Sequence, residues 1–421
     1  MDYGERVIDT VLDEVQPLLR AVSVHGPKGV GKTATASRRA RTIFDMSQVG
    51  QREIVMADPR VLVRTPGPVL IDEWQRLPEV WEHVRRAVDD GVPNGHFLIA
   101  GSSAPRGATV HSGAGRIVPL RMRPLSLAER DLTPPSVSLT RLLDGERELH
   151  GTTDVELLEY VEEITASGFP GIRSRPDQVR GIELDGYLEN VIQREFPEQG
   201  YQVRRPESLR AWLAAYAAAT SSTTSYTKIL DAATPGLANK PATETTIVYR
   251  DALSSLWLID PVPAWMPGHN HLERLGRASK HQLADPALAA RLLGLDARSL
   301  LRSDTRRENL VQGTILGALF EHLATMSVHT YAAAAQARVS HLRTNGGRHE
   351  VDLIVHRPDG AFVALEVKLS DRVVDSDVRH LHWLREQVGS DMVDAVVLHC
   401  GTHAYRRADG VGVVPLVLLG P

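Results

Sequence analysis

The chain is 421 residues long, enough for two to four folded units at roughly 150 residues each. Hydrophobic residues make up 42% and charged residues 24%, which supplies material for real cores and excludes wholesale disorder. With 48 basic against 52 acidic residues the formal charge is −4, so no global positive field draws the chain onto nucleic acid or anionic lipid, and any such contact has to come from a local patch.

The lone cysteine, Cys400, sits in the apolar run AVVLHC and reads as a buried, inert thiol suited to a reducing compartment. No basic opening followed by an apolar stretch begins the chain, and no run approaches the ~18 apolar residues of a membrane span. The expectation is a cytoplasmic protein with no membrane contact. Six lysines occur: Lys28, Lys32, Lys228, Lys240, Lys280 and Lys368. A chain that otherwise uses arginine keeps lysine where a slender point charge is needed and a planar guanidinium does not fit.

Taken in chain order, Val7, Ile8, Val11, Leu12, Val15, Leu18 and Leu19 recur at helical spacing and predict an amphipathic helix. AVSVHGPKGVGKTATASRRARTIF then predicts strand, glycine loop and helix. EIVMAD predicts a second short strand, PGPVLIDEW a strand ending in acids, and NGHFLIAGSS a strand ending in small polar residues. Strands alternating with helices predict an α/β fold, a parallel sheet covering residues 1–135, with a boundary in DLTPPSVSLT at 131–140. VELLEYVEEI, GIELDGYLENVIQREF and ESLRAWLAAYAAAT predict a helical region, and TSYTKILDAATPGLANKPATETTIVYRDALSSLWLIDPVPAW predicts a winged helix-turn-helix, together spanning 150–265. From 270 to 421 a helix in VQGTILGALFEHLATMS, strands in RVSHLRT, HEVDLIVHR, AFVALEVKL, DAVVLHC and GVVPLVLL, and a helix in SDVRHLHWLREQV predict a second α/β unit.

GPKGVGKT satisfies G-x-x-x-x-G-K-[ST] after an apolar strand and before a helix, the context in which that motif cradles phosphate. Gly26, Pro27, Lys28, Gly29, Val30, Gly31, Lys32, Thr33 and Ala34 would surround the phosphates of ATP with backbone N–H groups and the helix N-terminus. Lys32 would reach the terminal phosphates and the Thr33 hydroxyl would hold Mg2+. VLIDE delivers Asp72 and Glu73 at the end of a strand, where Asp72 would support Mg2+ and Glu73 would orient the attacking water. FLIAGSS offers Ser102 or Ser103 as a sensor of the γ-phosphate, against the alternative of a plain loop. Arg116, in GAGRI, is the arginine selected to neutralise transition-state charge, in cis or from a neighbouring subunit of a homo-oligomer, ahead of Arg121 and Arg123; the alternative is a surface arginine.

A second constellation lies near the other end. ALEVKLS puts Glu366 and Lys368 on one face of a strand, and HEVDLIV puts Asp352 on the preceding one, with a DG turn between. Asp352 and Glu366, with Glu321 from the upstream helix, would converge on a divalent cation while Lys368 positions a water, the arrangement of metal-assisted phosphodiester hydrolysis. A cross-strand Glu–Lys pair in an ordinary hairpin is the competing reading. Lys228, Lys240, Thr243, Thr245, Thr246, Tyr249 and Arg250, on or near the recognition helix of the winged segment, are the residues expected at DNA, with protein contact as the alternative.

At this point the chain resembles prokaryotic AAA+-like P-loop ATPases whose ATPase domain is joined to a C-terminal domain of unknown function. The resemblance is carried by GPKGVGKT, VLIDEWQRLPEVW, FLIAGSS, GAGRI with RPLSLAER, YLENVIQREF, ASKHQLADPALAARLLG, FEHLA, and HEVDLIV with ALEVK. It implies an ATPase core with catalytic acids Asp72 and Glu73, a winged-helix segment, and a C-terminal restriction-endonuclease-like PD-(D/E)xK fold with Glu321, Asp352, Glu366 and Lys368 as its nuclease-like set. Ser102 or Ser103 stands where many such proteins carry a sensor asparagine. The expected activity is ATP hydrolysis controlling a DNA-binding, DNA-cleaving half, with a nucleotide-gated, non-cleaving interaction switch as the alternative.

Overall fold

The computed structural model describes residues 3–102, 114–201, 205–234, 243–266, 277–305 and 310–421. Five short strands, β1 (Ala21–His25), β2 (Thr42–Asp45), β3 (Val69–Asp72), β4 (Phe97–Gly101) and β5 (Val118–Arg121), form a sheet of order β2-β3-β4-β1-β5 in which every pairing is parallel. The period-2 alternation of these strands decides the layers. Val22, Val24, Leu70, Leu98 and Ala100 face one buried cluster, while Ala21, Val69, Ile71, Phe97 and Ile99 face another, closed by the helix Glu79–Asp89.

The expected strand at EIVMAD is a helix, Val49–Ala57, and the second strand is TIFD, β2, instead. Three successive apolar residues suggested a buried strand, but only Val55 points inward, with Ile54 and Met56 left exposed. The helix after the glycine loop ends at Ser37, after six residues, which frees TIFD to pair with β3.

Helices fill the middle of the chain, among them Leu157–Ala166, Asp177–Asn190, Pro206–Ala218, Tyr226–Ala232 and Thr243–Ser255. The last three are followed by the antiparallel bridges Ile259↔Leu283 and Val262↔Lys280. The 25-residue helix Leu310–Ala334 is apolar on all sides, burying Leu316, Leu319, Phe320, Leu323, Met326, Val328 and Tyr331, as a helix surrounded by protein must.

The carboxyl-terminal sheet has order β11-β12-β10-β9-β8-β7. Its strands are β7 (Arg338–Arg343), β8 (Glu350–His356), β9 (Phe362–Lys368), β10 (Met392–His399), β11 (Tyr405–Arg406) and β12 (Gly412–Pro415). It is mixed: β7, β8 and β9 run antiparallel in turn, and β9, β10 and β12 run parallel. Leu353, Val363, Leu365, Val396 and Leu398 pack on the same central cluster as the amino-terminal sheet, while Ile354, Phe362, Ala364 and Val397 face outward beneath the helix Asp375–Val388. The two sheets thus share one core through the helices between them. The stretch expected as a boundary carries a two-residue strand, β6 (Val137–Ser138), which pairs with β13 (Leu419–Gly420) at the far end of the chain. Cys400 is buried in the shared core. Among the described residues no helix is long and apolar enough to cross a membrane.

Candidate functional site

A parallel sheet gathers the carboxyl ends of its strands at one edge, where the glycine loop after β1, the acids of β3 and the residues after β4 meet. The loop needs its glycines. Gly31 adopts φ +107° immediately before the helix, and a Cβ on Gly26 would run into the Met122 carbonyl. Lys28, Gly29, Thr33 and Ala34 lie on the solvent side of the loop, while Gly26, Pro27, Val30 and Lys32 are buried.

Lys32 curls back over the loop, donating to the carbonyls of Gly26 and Pro27 at 2.9 Å each. Burial pushes its ammonium down to about 8, with Glu73, Asp72 and Glu195 pulling the other way. The Thr33 hydroxyl donates to Asp72 Oδ2 at 2.8 Å, joining the loop to the end of β3. Burial raises the Asp72 carboxyl above the usual carboxylate range, offset by that hydrogen bond and reinforced by Glu73. Glu73 leaves the strand in the left-handed region (φ 49°), and Gln75 Nε2 donates to its carboxylate at 2.7 Å. Lys28, Lys32, Glu73, Gln75 and Ser102 line one cleft, closed on its far side by Glu195, Glu198 and Gln199.

The sequence did not point to several of these residues. Glu195 ends a π-helical turn, Val191–Glu195, and its carboxylate lies 3.6 Å from Lys28 Nζ. Arg6, almost fully buried, donates to Val30 O of the loop and to Arg123 O, and pairs with Glu129. An amphipathic pattern reveals neither, because both are polar residues buried by tertiary contact. Gln75, two residues past the second acid, was legible only as part of a polar turn.

Three expected residues lie elsewhere. Arg116 pairs with Asp89 at 2.7 Å, nearly half exposed, and is not among the residues that line the cleft. Arg121 and Arg123 are held by the Asp260 carboxylate at 2.8 and 2.7 Å. Ser102 faces the cleft and its carbonyl accepts from Trp257 Nε1 at 2.7 Å; Ser103 lies outside the described residues.

The carboxyl-terminal constellation does assemble, but around a residue absent from the expected set. Lys280 Nζ lies 2.9 Å from Glu321 Oε1, 2.9 Å from Asp352 Oδ1 and 3.3 Å from Glu350 Oε1. Asp352 Oδ2 accepts from Val367 N at 3.0 Å, and Lys368 Nζ pairs with Glu366 Oε1 at 2.7 Å. Burial opposes charge on Lys280, yet Asp352, Glu321 and Glu350 outweigh it and hold the ammonium protonated well above its usual range. Burial and then the Asp352 charge push Glu321 and Glu366 up to about 8. Among the described residues no group of three His, Cys, Asp or Glu side chains is arranged to hold a metal. Of the residues expected at a metal, Glu321 and Asp352 share the Lys280 ammonium and Glu366 pairs with Lys368.

On the segment expected as a winged helix-turn-helix, Thr246 and Tyr249 are core residues, Tyr249 packing edge-on against Trp212, and Arg250 stacks on the Tyr226 ring. Thr245 is half-buried, Lys228 is exposed, and the outer face of Thr243–Ser255 shows Glu244, Ile247, Asp251 and Ser254. Lys240 and the Thr243 side chain lie outside the described residues. Thr246 and Tyr249 are therefore unavailable to DNA, because helical periodicity turns them inward.

Residues 19–130 match a family model described as an AAA domain. The amino-terminal part of the chain thus resembles a P-loop ATPase domain. Residues 157–299 and 316–419 match two domains of unknown function. Uncharacterized proteins of Mycobacterium bovis and Mycobacterium tuberculosis are each 24% identical over 403 residues, covering 94% of this chain and 79% of the relative. Among solved structures, a Walker-type ATPase of Pyrococcus abyssi is similar at 15% identity and a TM-score of 0.39, covering 69% of this chain and 96% of that one. The ORC2 protein of Aeropyrum pernix is similar at 15% identity and a TM-score of 0.32, covering 74% and 93%.

Proposed function

We propose that the chain binds and hydrolyses ATP at the cleft between the glycine loop and β3. The observation that carries this reading is the 2.8 Å contact between Thr33 and Asp72, residues 39 apart in sequence, which brings hydroxyl and carboxylate together beside Lys32. Loop N–H groups bind phosphate oxygens, and the Lys32 ammonium exchanges its two carbonyl partners for the terminal phosphates. Thr33 and Asp72 fit Mg2+, an oxygen-seeking cation that, when bound, neutralises phosphate charge. Glu73, fixed by Gln75, orients the attacking water, and Ser102 faces the end of the cleft where the γ-phosphate arrives. The match of residues 19–130 to an AAA domain supports the same assignment.

For the output, the exposed face of Thr243–Ser255 favours a protein partner over DNA. It presents Glu244 and Asp251, which repel phosphate, and an exposed Ile247. DNA contact would rest on Lys228 and on residues outside the described ones. Steady-state phosphate release tests the catalytic reading: Lys32→Ala is expected to lower ATP turnover to background, and turnover equal to wild type overturns it.

A further inference from the structure

The carboxylates that sequence spacing assigns to a divalent cation surround an ammonium group instead. Lys280 comes from outside the strands and helix that carry the acids, and its backbone is fixed by reciprocal hydrogen bonds with Val262, N to O and O to N, at 2.9 Å each. Its side chain is 1% exposed and reaches Glu321, Asp352 and Glu350 together. An ammonium offers three donors and one positive charge, so it satisfies carboxylate oxygens that otherwise repel one another. Arg343 Nη1 takes the second Glu350 oxygen at 3.3 Å and Lys368 takes Glu366 Oε1, so every acid of the cluster already has a cationic partner. A metal ion entering here would meet the Lys280 ammonium at hydrogen-bond distance from its own ligands. One polar atom is left over: Glu366 Oε2, buried and without a hydrogen-bond partner among the described residues.

We propose that Lys280 is an internal cation that occupies the divalent-metal position of the carboxyl-terminal unit, so that this unit is complete without Mg2+ or Mn2+ and does not cut phosphodiesters. The acids and the strand pair are those that sequence spacing assigns to a metal-dependent hydrolytic site, and the lysine ties them into a structural cluster. Removing the ammonium frees Glu321, Glu350 and Asp352, with the spare oxygen of Glu366, for a divalent cation of the same oxygen-ligand chemistry.

The test is Mn2+ binding to the nucleotide-free, full-length chain, read from the loss of the free-Mn2+ electron paramagnetic resonance signal, with folding checked by circular dichroism. Wild type is expected to bind no Mn2+ that Asp352→Asn removes. Lys280→Ala is expected to gain one Mn2+ per chain, at least tenfold tighter than any wild-type binding, and the gain is expected to vanish in Lys280→Ala with Asp352→Asn. Lys280→Met keeps the apolar bulk of the stem and stands in where the truncation does not fold. The proposal is overturned if wild type holds a tight Mn2+ lost in Asp352→Asn, if it cleaves DNA with Mn2+ in a manner lost in that variant, or if folded Lys280→Ala and Lys280→Met both gain nothing. Should neither Lys280 variant fold, wild type decides with Asp352→Asn: no tight Mn2+ that Asp352→Asn removes supports the proposal, and one per chain that it removes refutes it.

Discussion

Replacing Glu195 by glutamine should tighten nucleotide binding, because the carboxylate stands where phosphate charge has to come. The cleft holds only about 60 Å3 of free space, far below the ~300 Å3 or more of a typical small-molecule site, and Glu195, Glu198 and Gln199 form the wall that narrows it. Glu195 Oε1 lies 3.6 Å from Lys28 Nζ, with the Glu195 side chain 11% exposed and the Lys28 side chain 61% exposed. A pair so open on one side is worth at most ~1 kcal/mol after solvent screening, since exposed ion pairs measure ~0.2–1 kcal/mol. Nucleotide must break that pair to recruit Lys28, so Glu195→Gln is expected to lower the Kd for ATP about fivefold, the equivalent of ~1 kcal/mol. Isothermal titration at ~0.05 M salt measures the gain, and at ~1 M salt it should shrink as screening removes the competition. Glu198→Gln is the control: its carboxylate and Arg76 are both about half exposed at 3.4 Å, and a change under about twofold is expected. An unchanged or larger Kd in Glu195→Gln refutes the competition argument and leaves Glu195 as a positioning residue for the loop.

The Lys32 ammonium, pushed down to about 8 by burial, is charged below that pH and loses its proton above it. ATP affinity in wild type should therefore be flat up to about pH 7.5 and weaken above pH 8, by up to about tenfold per unit, and the slope should be absent in Lys32→Ala. Asp260 is buried and neutralises both Arg121 and Arg123, so Asp260→Ala leaves two uncompensated guanidinium groups. The expected loss is about 3 kcal/mol in urea unfolding, the low end for a broken buried pair because Arg121 is 25% exposed; a loss under about 1 kcal/mol would contradict it.

What the sequence discloses follows from which forces act locally. The alternation in AVSVH, VLID and FLIAG reports burial on two faces, and the parallel strands with their glycine loop follow from it. The motif GPKGVGKT carries its own backbone requirement, so the loop was legible in the sequence, whereas the direct hydrogen bond from Thr33 to Asp72 was not. β2 was not, because it is an edge strand whose Ile43 is exposed, and its apolar pattern is no different from that of a helix end. Spacing brought Asp352, Glu366 and Lys368 together but could not say what fills the gap between them. That depends on Lys280, 72 residues before Asp352, and the available signal was the scarcity of lysine in an arginine-rich chain. The Arg116–Asp89 pair was hidden for the opposite reason: where arginines are plentiful, neighbouring sequence does not distinguish one that reaches a phosphate from one that pairs with a surface aspartate.

Residues 256–262 touch both clusters. Leu256 lines the cleft beside the glycine loop, Trp257 donates to the Ser102 carbonyl, Asp260 grips Arg121 and Arg123, and Val262 fixes the backbone of Lys280. Contiguity alone transmits nothing; transmission needs an element with two arrangements that both sites bias. The Trp257 φ of 62° lies in the left-handed region, where a bulky residue is strained by ~1–3 kcal/mol unless its contacts overrule the backbone. Those contacts are the Ser102 carbonyl and the Arg121 guanidinium, 4.9 Å from the indole.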